Sequence, residues 1–176
     1  MLLTNQKSWE DYRTDVATFN GIRRKNGWEA EQPTVVVRAV CSEDSAEAWS
    51  LIATHALEGQ ASSSAHYQLD DTERLRNTKG YEQYAAVGAL KFTDEQILEA
   101  AAKPQAWGTP DEVYERLLHI QAMTGAGEFV LNFRFGTMPV EVAERSMRLF
   151  AQEVLPRLHS LDAKLGPDLD GSESVE

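Results

Sequence analysis

The chain has 176 residues, 42% of them hydrophobic and 26% charged, ordinary values for a globular protein with one sizeable core. Its 28 acidic residues outnumber its 17 basic ones, and the net charge of −11 repels phosphate backbones and anionic bilayers, which argues against nucleic acid or membrane as a partner. The length falls short of the roughly 250 residues of a complete eight-stranded β/α barrel. No apolar run approaches the ~20 residues of a membrane span, and the opening MLLTNQKSWEDY lacks a secretory pattern. The single cysteine, Cys41, permits no internal disulfide, so a cytoplasmic, reducing location is expected.

In chain order, residues 1–5 are short and apolar and suit the end of a strand. Ser8 is placed as an N-cap, and Trp9, Tyr12, Val16 and Phe19 follow at helical spacing until Asn26-Gly27 stops the helix. TVVVRAVC at 34–41 is β-branched and almost wholly apolar, as in a parallel strand covered on both faces. Ser42 to Gly59 is expected as a helix. Residues 60–92 form an irregular excursion with helix at 80–88. Thr93 begins a further helix, with Gln96 closing a capping box. Gly108-Thr109-Pro110-Asp111-Glu112 is the strongest local signal: an N-cap, a proline at the first helical position and a glutamate able to reach back. EFVLNFRF at 128–135 alternates as a strand, with Phe129, Leu131, Phe133 and Phe135 on one side and Val130, Asn132 and Arg134 on the other. Thr137 to Leu161 is an amphipathic helix that Pro156 is placed to kink. Residues 162–176 are acidic, with two glycines and a proline, and are expected as a disordered tail. The β-α-β alternation of the body, 1–161, predicts an α/β fold with a parallel sheet.

Function in such folds gathers at the C-terminal ends of strands. Arg134 lies there, a fixed cation suited to an anionic substrate or an electron-rich ring, the alternative being an ion pair with an interior carboxylate. Arg38, nearer mid-strand, is read as structural. The excursion contributes His66, a candidate acid–base residue because imidazole titrates near neutrality. It also contributes Tyr67 and Tyr81, candidate walls of a substrate pocket or anchors of the loop onto the body. No histidine pair has metal-ligand spacing, and neither a phosphate loop nor a nucleophile elbow occurs.

Several segments together resemble a known family: QKSW at 6–9, AHYQLDD at 65–71, TKGYEQYA at 78–85, QAWGTPDEVYERL at 105–117, EFVLNFRFGTMP at 128–139 and RSMRLFAQEVLPRL at 145–158. Their order is similar to that in the C-terminal half of luciferase-like flavin-dependent monooxygenases, the relatives of bacterial luciferase and long-chain alkane monooxygenase. The resemblance implies a partial TIM (β/α)8 barrel made of the last three β/α units. Residues 1–5, 34–41 and 128–135 would be strands 6 to 8, with a long insertion after strand 7. It implies reduced FMN as cofactor, a flavin reductase as its source, and O2 with a small organic molecule as substrates. By position, His66 becomes the catalytic candidate and Tyr67, Tyr81 and Arg134 the substrate-binding candidates. Three forms of the protein follow. It is a truncated or half-barrel monooxygenase, which is the form favoured, one subunit of a split enzyme completed by another barrel half, or a self-associating non-catalytic remnant.

Overall fold

The computed structural model describes residues 1–81, 84–85 and 92–172. Its strands are β1 (Leu2–Thr4), β2 (Thr34–Cys41), β3 (Ala106–Gly108) and β4 (Glu128–Asn132). Its helices are α1 (Tyr12–Lys25), α2 (Ser45–Tyr67), α3 (Thr72–Arg76), α4 (Asp94–Ala101), α5 (Pro110–Thr124), α6 (Val140–Glu153) and α7 (Leu155–His159). The sheet is parallel throughout, and every pairing runs through β2. Leu2 to Thr4 lie against Thr34 to Val36, Glu128 to Asn132 against Thr34 to Arg38, and Ala106 to Gly108 against Ala39 to Cys41.

One face of this sheet makes the main core. Leu3, Val35, Val37 and Ala39 pack with Trp9, Tyr12 and Val16 from the α1 side, with Val113, Leu117 and Ile120 of α5, and with Phe150 and Val154. Each fully buried aliphatic side chain contributes about 1.5–3 kcal/mol, so this face dominates the stability of the fold. Phe129, Leu131 and Phe133 join it, as their alternation predicts. A second cluster sits at the C-terminal end of β2, where Val40 meets Ala48, Ile52 and Ala56 of α2 together with Phe135 and Met138. The rest of the second face is only partly covered by the described residues. β2 alternates buried and half-buried as far as Arg38 and is fully buried only from Ala39 onward. Leu2 is 65% and Val130 48% exposed. The expectation of a strand covered on both faces therefore holds only for its last three residues.

Two strand boundaries differ from those expected. β4 ends at Asn132 because the Asn132 Oδ1 accepts the Arg134 N–H (3.1 Å), a side-chain turn that withdraws the backbone from the ladder. Phe135 consequently leaves the phenylalanine face and enters the second cluster. β3, only three residues long, has no sequence periodicity to announce it.

The helix starts with local signals form as expected. Thr93 with Gln96 and Thr109 with Glu112 both make reciprocal capping boxes, and Pro110 opens α5. Ser8 accepts the Asp11 N–H (3.2 Å), but this caps a turn just before α1 rather than α1 itself. α2 begins at Asp44, whose carboxylate accepts the Ala46 and Glu47 N–H groups, and it runs through Gly59 to Tyr67. The interior glycine costs about 0.5–1 kcal/mol, which the packing of Ile52 and Ala56 outweighs. The long helix expected over 137–161 breaks at Val154, because Pro156 has no N–H for the preceding turn. Of the helix expected at 80–88, only Tyr84 and Ala85 are helical and described; the others, Gly80 and Tyr81 excepted, lie outside the described residues.

The stretch expected as a disordered tail is docked as far as Ser172. Leu169 is buried in the main core, its carbonyl accepts from Asn20 Nδ2 (2.9 Å), Asp168 pairs with Arg13, and Asp170 pairs with Arg24 (2.8 Å).

Candidate active site

The C-terminal ends of β1 and β4 and the middle of β2 meet on the second face of the sheet. They line a cleft of about 260 Å³ whose polar residues are Thr4, Asn5, Arg38, Gln60, Gln105 and Asn132. Strand alternation puts Arg38 there, since its neighbours Val37 and Ala39 belong to the core face. The segment between α4 and β3 closes one side. Gln105, almost fully buried, accepts the Arg38 N–H (2.8 Å) and donates to the Ala101 carbonyl (3.1 Å). Asn5 donates to the Ala100 carbonyl (3.2 Å), and the Trp9 indole donates to that of Pro104 (2.8 Å).

The Arg38 guanidinium lies 5.2 Å from the centre of the Phe135 ring, a cation–π contact. Burial pushes its pKa down from the ordinary arginine value, although a guanidinium stays protonated in any protein setting. Among the described residues that line the cleft, none is acidic.

A second polar cluster fastens α2 to the loop after β4. Glu58 Oε2 accepts from the Thr137 hydroxyl (2.6 Å) and the Thr137 N–H (3.2 Å) and contacts His55 Nδ1 (2.7 Å). The Thr137 hydroxyl, then His55, hold the Glu58 carboxyl down at about 2. Gly136 is required beside it. Its φ of 59° is left-handed, and an added Cβ would lie 2.6 Å from the His55 carbonyl oxygen.

The residues singled out in the sequence lie elsewhere. His66 is exposed on the last turn of α2, edge-on to Tyr67 at 4.9 Å between ring centres. Tyr67 is 60% exposed, and Tyr81 is paired with Tyr84 at 5.7 Å. Arg134 is exposed, donates from Nε to the Met138 carbonyl (3.3 Å), and has no carboxylate partner among the described residues. The structure thus joins His66 to Tyr67 and Tyr81 to Tyr84. Neither pair, nor Arg134, lines the cleft beside Arg38. Cys41 is packing: burial pushes its thiol up to about 12, and its N–H donates to Ser146 Oγ (2.7 Å). Sequence reasoning placed Arg38 in a structural role and passed over Gln105 and Gln60. The signal available was the alternation of β2, which puts Arg38 opposite the core.

Among the described residues no group of histidine, cysteine and acidic side chains has the arrangement of a metal site. No described helix is long and apolar enough to cross a membrane.

Comparison with curated proteins finds no match. Among solved structures the chain is similar to monooxygenase RslO1 from Streptomyces bottropensis, with a TM-score of 0.58 and 22% identity over 89% of this chain and 41% of that one. It is also similar to a type II Baeyer–Villiger monooxygenase, the oxygenating constituent of 3,6-diketocamphane monooxygenase from the CAM plasmid of Pseudomonas putida, in complex with FMN. There the TM-score is 0.57 with 15% identity, over 89% of this chain and 42% of that one. The chain spans less than half the length of either structure. At these identities the likeness is one of fold, an α/β architecture with a parallel sheet. A model of the luciferase-like monooxygenase family matches residues 1–127, well over half of the chain, from β1 through α5. The chain therefore belongs to the luciferase-like monooxygenase family.

Proposed function

We propose that this chain is one part of a flavin-dependent monooxygenase that uses reduced FMN and O2 to oxygenate a small organic molecule. The observation that carries this is the family match over residues 1–127, which spans the strands and segments that line all of the cleft except Asn132. When bound, reduced flavin supplies the electrons that activate oxygen; the protein supplies binding, orientation and exclusion of water. The donor-rich lining, without an acid among the described residues, suits an electron-rich ligand edge. A volume of about 260 Å³ is below the roughly 300–1,000 Å³ of ordinary small-molecule sites, so the cleft takes a small substrate or part of a flavin, not both. Polypeptide outside the described residues completes the site, as the rest of a TIM barrel of which β1, β2 and β4 are the last three strands. His66 as the acid–base group, Tyr67 and Tyr81 as substrate walls, and Arg134 as a second substrate-side cation act on a part of the completed site outside the cleft beside Arg38. A flavin reductase supplies the cofactor in the cytoplasm.

Titration of the full chain with FMN, oxidised and then anaerobically reduced, tests the proposal through flavin fluorescence and absorbance. Saturable binding is the expected result. Absence of binding, both alone and with a polypeptide carrying the remaining β/α units, overturns it.

The exposure of Leu2 and Val130 on the second face of the sheet favours a second possibility, a self-associating protein without catalysis. Sedimentation separates the two: a flavin-free oligomer of this chain alone supports the second.

A further inference from the structure

We infer that the cleft beside Arg38 is an oxyanion-binding site, and that the molecule it receives is a small organic acid presenting a carboxylate or similar group to the Arg38 guanidinium. The inference rests on the proposed monooxygenase function only for the role of that molecule as substrate; the site itself stands on four observations.

The Arg38 guanidinium is half-buried and has neither a salt bridge nor a hydrogen bond among the described residues; it lies against the Phe135 ring and beside Gly59. A cation removed from water without a counter-charge is costly, and a ring face offsets only part of that cost. Among the described residues that line the cleft none is acidic, although the chain carries 28 aspartates and glutamates. Acidic side chains pair with other arginines of the protein, among them Arg23, Arg24 and Arg157, while Arg38 is left without one. Two solvent-exposed amides at the rim of the cleft add donors that water now satisfies and a ligand can take over. The Asn132 Oδ1 is used by the Arg134 N–H while its Nδ2 has no partner among the described residues, and the Gln60 amide has none either. Gln105 and Asn5, by contrast, have their amide groups engaged with backbone, which fixes the wall against which a ligand would rest. The guanidinium fork matches a planar carboxylate with two parallel hydrogen bonds, a geometry a lysine does not offer. The volume of about 260 Å³ has room for a molecule the size of an aromatic or short aliphatic acid.

The test is calorimetric titration of the full chain with three probes: benzoate, its neutral counterpart benzamide, and inorganic phosphate. Saturable benzoate binding, absent with benzamide and weakened at least ten-fold in Arg38→Gln, is the expected result. Saturable phosphate binding without benzoate binding, lost in the same variant, supports an oxyanion site and overturns the organic acid as its occupant. Gln60→Glu provides the check that does not remove the cation: a carboxylate placed beside Arg38 satisfies it internally and weakens benzoate binding similarly. Arg148→Gln, which breaks only the exposed pair with Glu144, leaves binding unchanged. Equal binding of benzoate and benzamide, or benzoate binding that survives both cleft variants, overturns the inference. No flavin is present in these titrations, so their failure is distinct from a failure to bind FMN.

Discussion

At the scale of single residues, the tie between Glu58, Thr137 and His55 makes a pH-dependent contribution that can be signed. The folded carboxyl titrates at about 2, against an ordinary value of 4.5. A carboxyl whose pKa is lowered by folding adds stability that is fully present above its unfolded value. That stability is lost as pH falls through the folded value. The contribution of Glu58 is therefore complete above about pH 4.5 and fades between there and about pH 2. Thermal melts of the protein and Glu58→Gln are expected to differ most at neutral pH and to converge as pH falls through that window. Curves that stay parallel down to low pH would contradict this assignment. None of this was visible in the sequence, where His55 and Glu58 look like ordinary helix residues. Their meaning depends on Thr137, 79 residues away from Glu58. Arg38 was read as structural for the same reason: its lack of a carboxylate partner among the described residues is a property of the assembled cleft, not of TVVVRAVC.

At the scale of elements, legibility followed the range of the interactions. The starts of α4 and α5 were readable because each capping box closes within four residues. Removing the cap hydroxyl in Thr109→Ala is expected to cost about 1 kcal/mol, within the 0.5–2 kcal/mol usual for N-caps, read as a lowered urea midpoint with an unchanged slope. A larger loss would implicate the bond from Ser45 Oγ to Glu112 (3.0 Å), which couples this cap to the start of α2. The end of β4 was not readable, because the alternation of EFVLNFRF continues past the Asn132 turn that stops the strand. The far end of α2 was hidden by Gly59 and three successive serines, whose local preference points to loop. The packed residues of α2, Ala48, Ile52, His55 and Ala56, all precede Gly59; the turns beyond it continue the helix on the surface, and Arg74 donates to the Tyr67 carbonyl (2.7 Å) at the helix end.

At the scale of the whole molecule, composition misled about the C-terminal stretch. Five acids, two glycines and a proline over residues 162–176 suggest disorder, yet the two leucines of 165 and 169 and the two ion pairs of Asp168 and Asp170 hold it to α1 as far as Ser172. Leu169→Ala is expected to cost about 2–4 kcal/mol, since the side chain is 3% exposed within the main core. It should also make the segment sensitive to limited proteolysis. An unchanged melting temperature together with unchanged cleavage would show that this leucine anchors nothing. The fold class and the family were legible because they rest on many weak local signals in sequence order. The cleft was not, because it joins positions from Thr4 to Asn132.

That every strand pairing passes through β2 has a kinetic consequence. β1, β3 and β4 are never partners of one another, so no part of the sheet can be assembled ahead of its central strand. The pairing that matters most for the main core, Thr34 to Arg38 with Glu128 to Asn132, must close a loop of more than 90 residues. Loop closure over such a separation is slow in proportion to its entropy. During synthesis β2 therefore waits, one edge open, until most of the chain has emerged, and its first half is the segment most in need of shielding from other exposed strands.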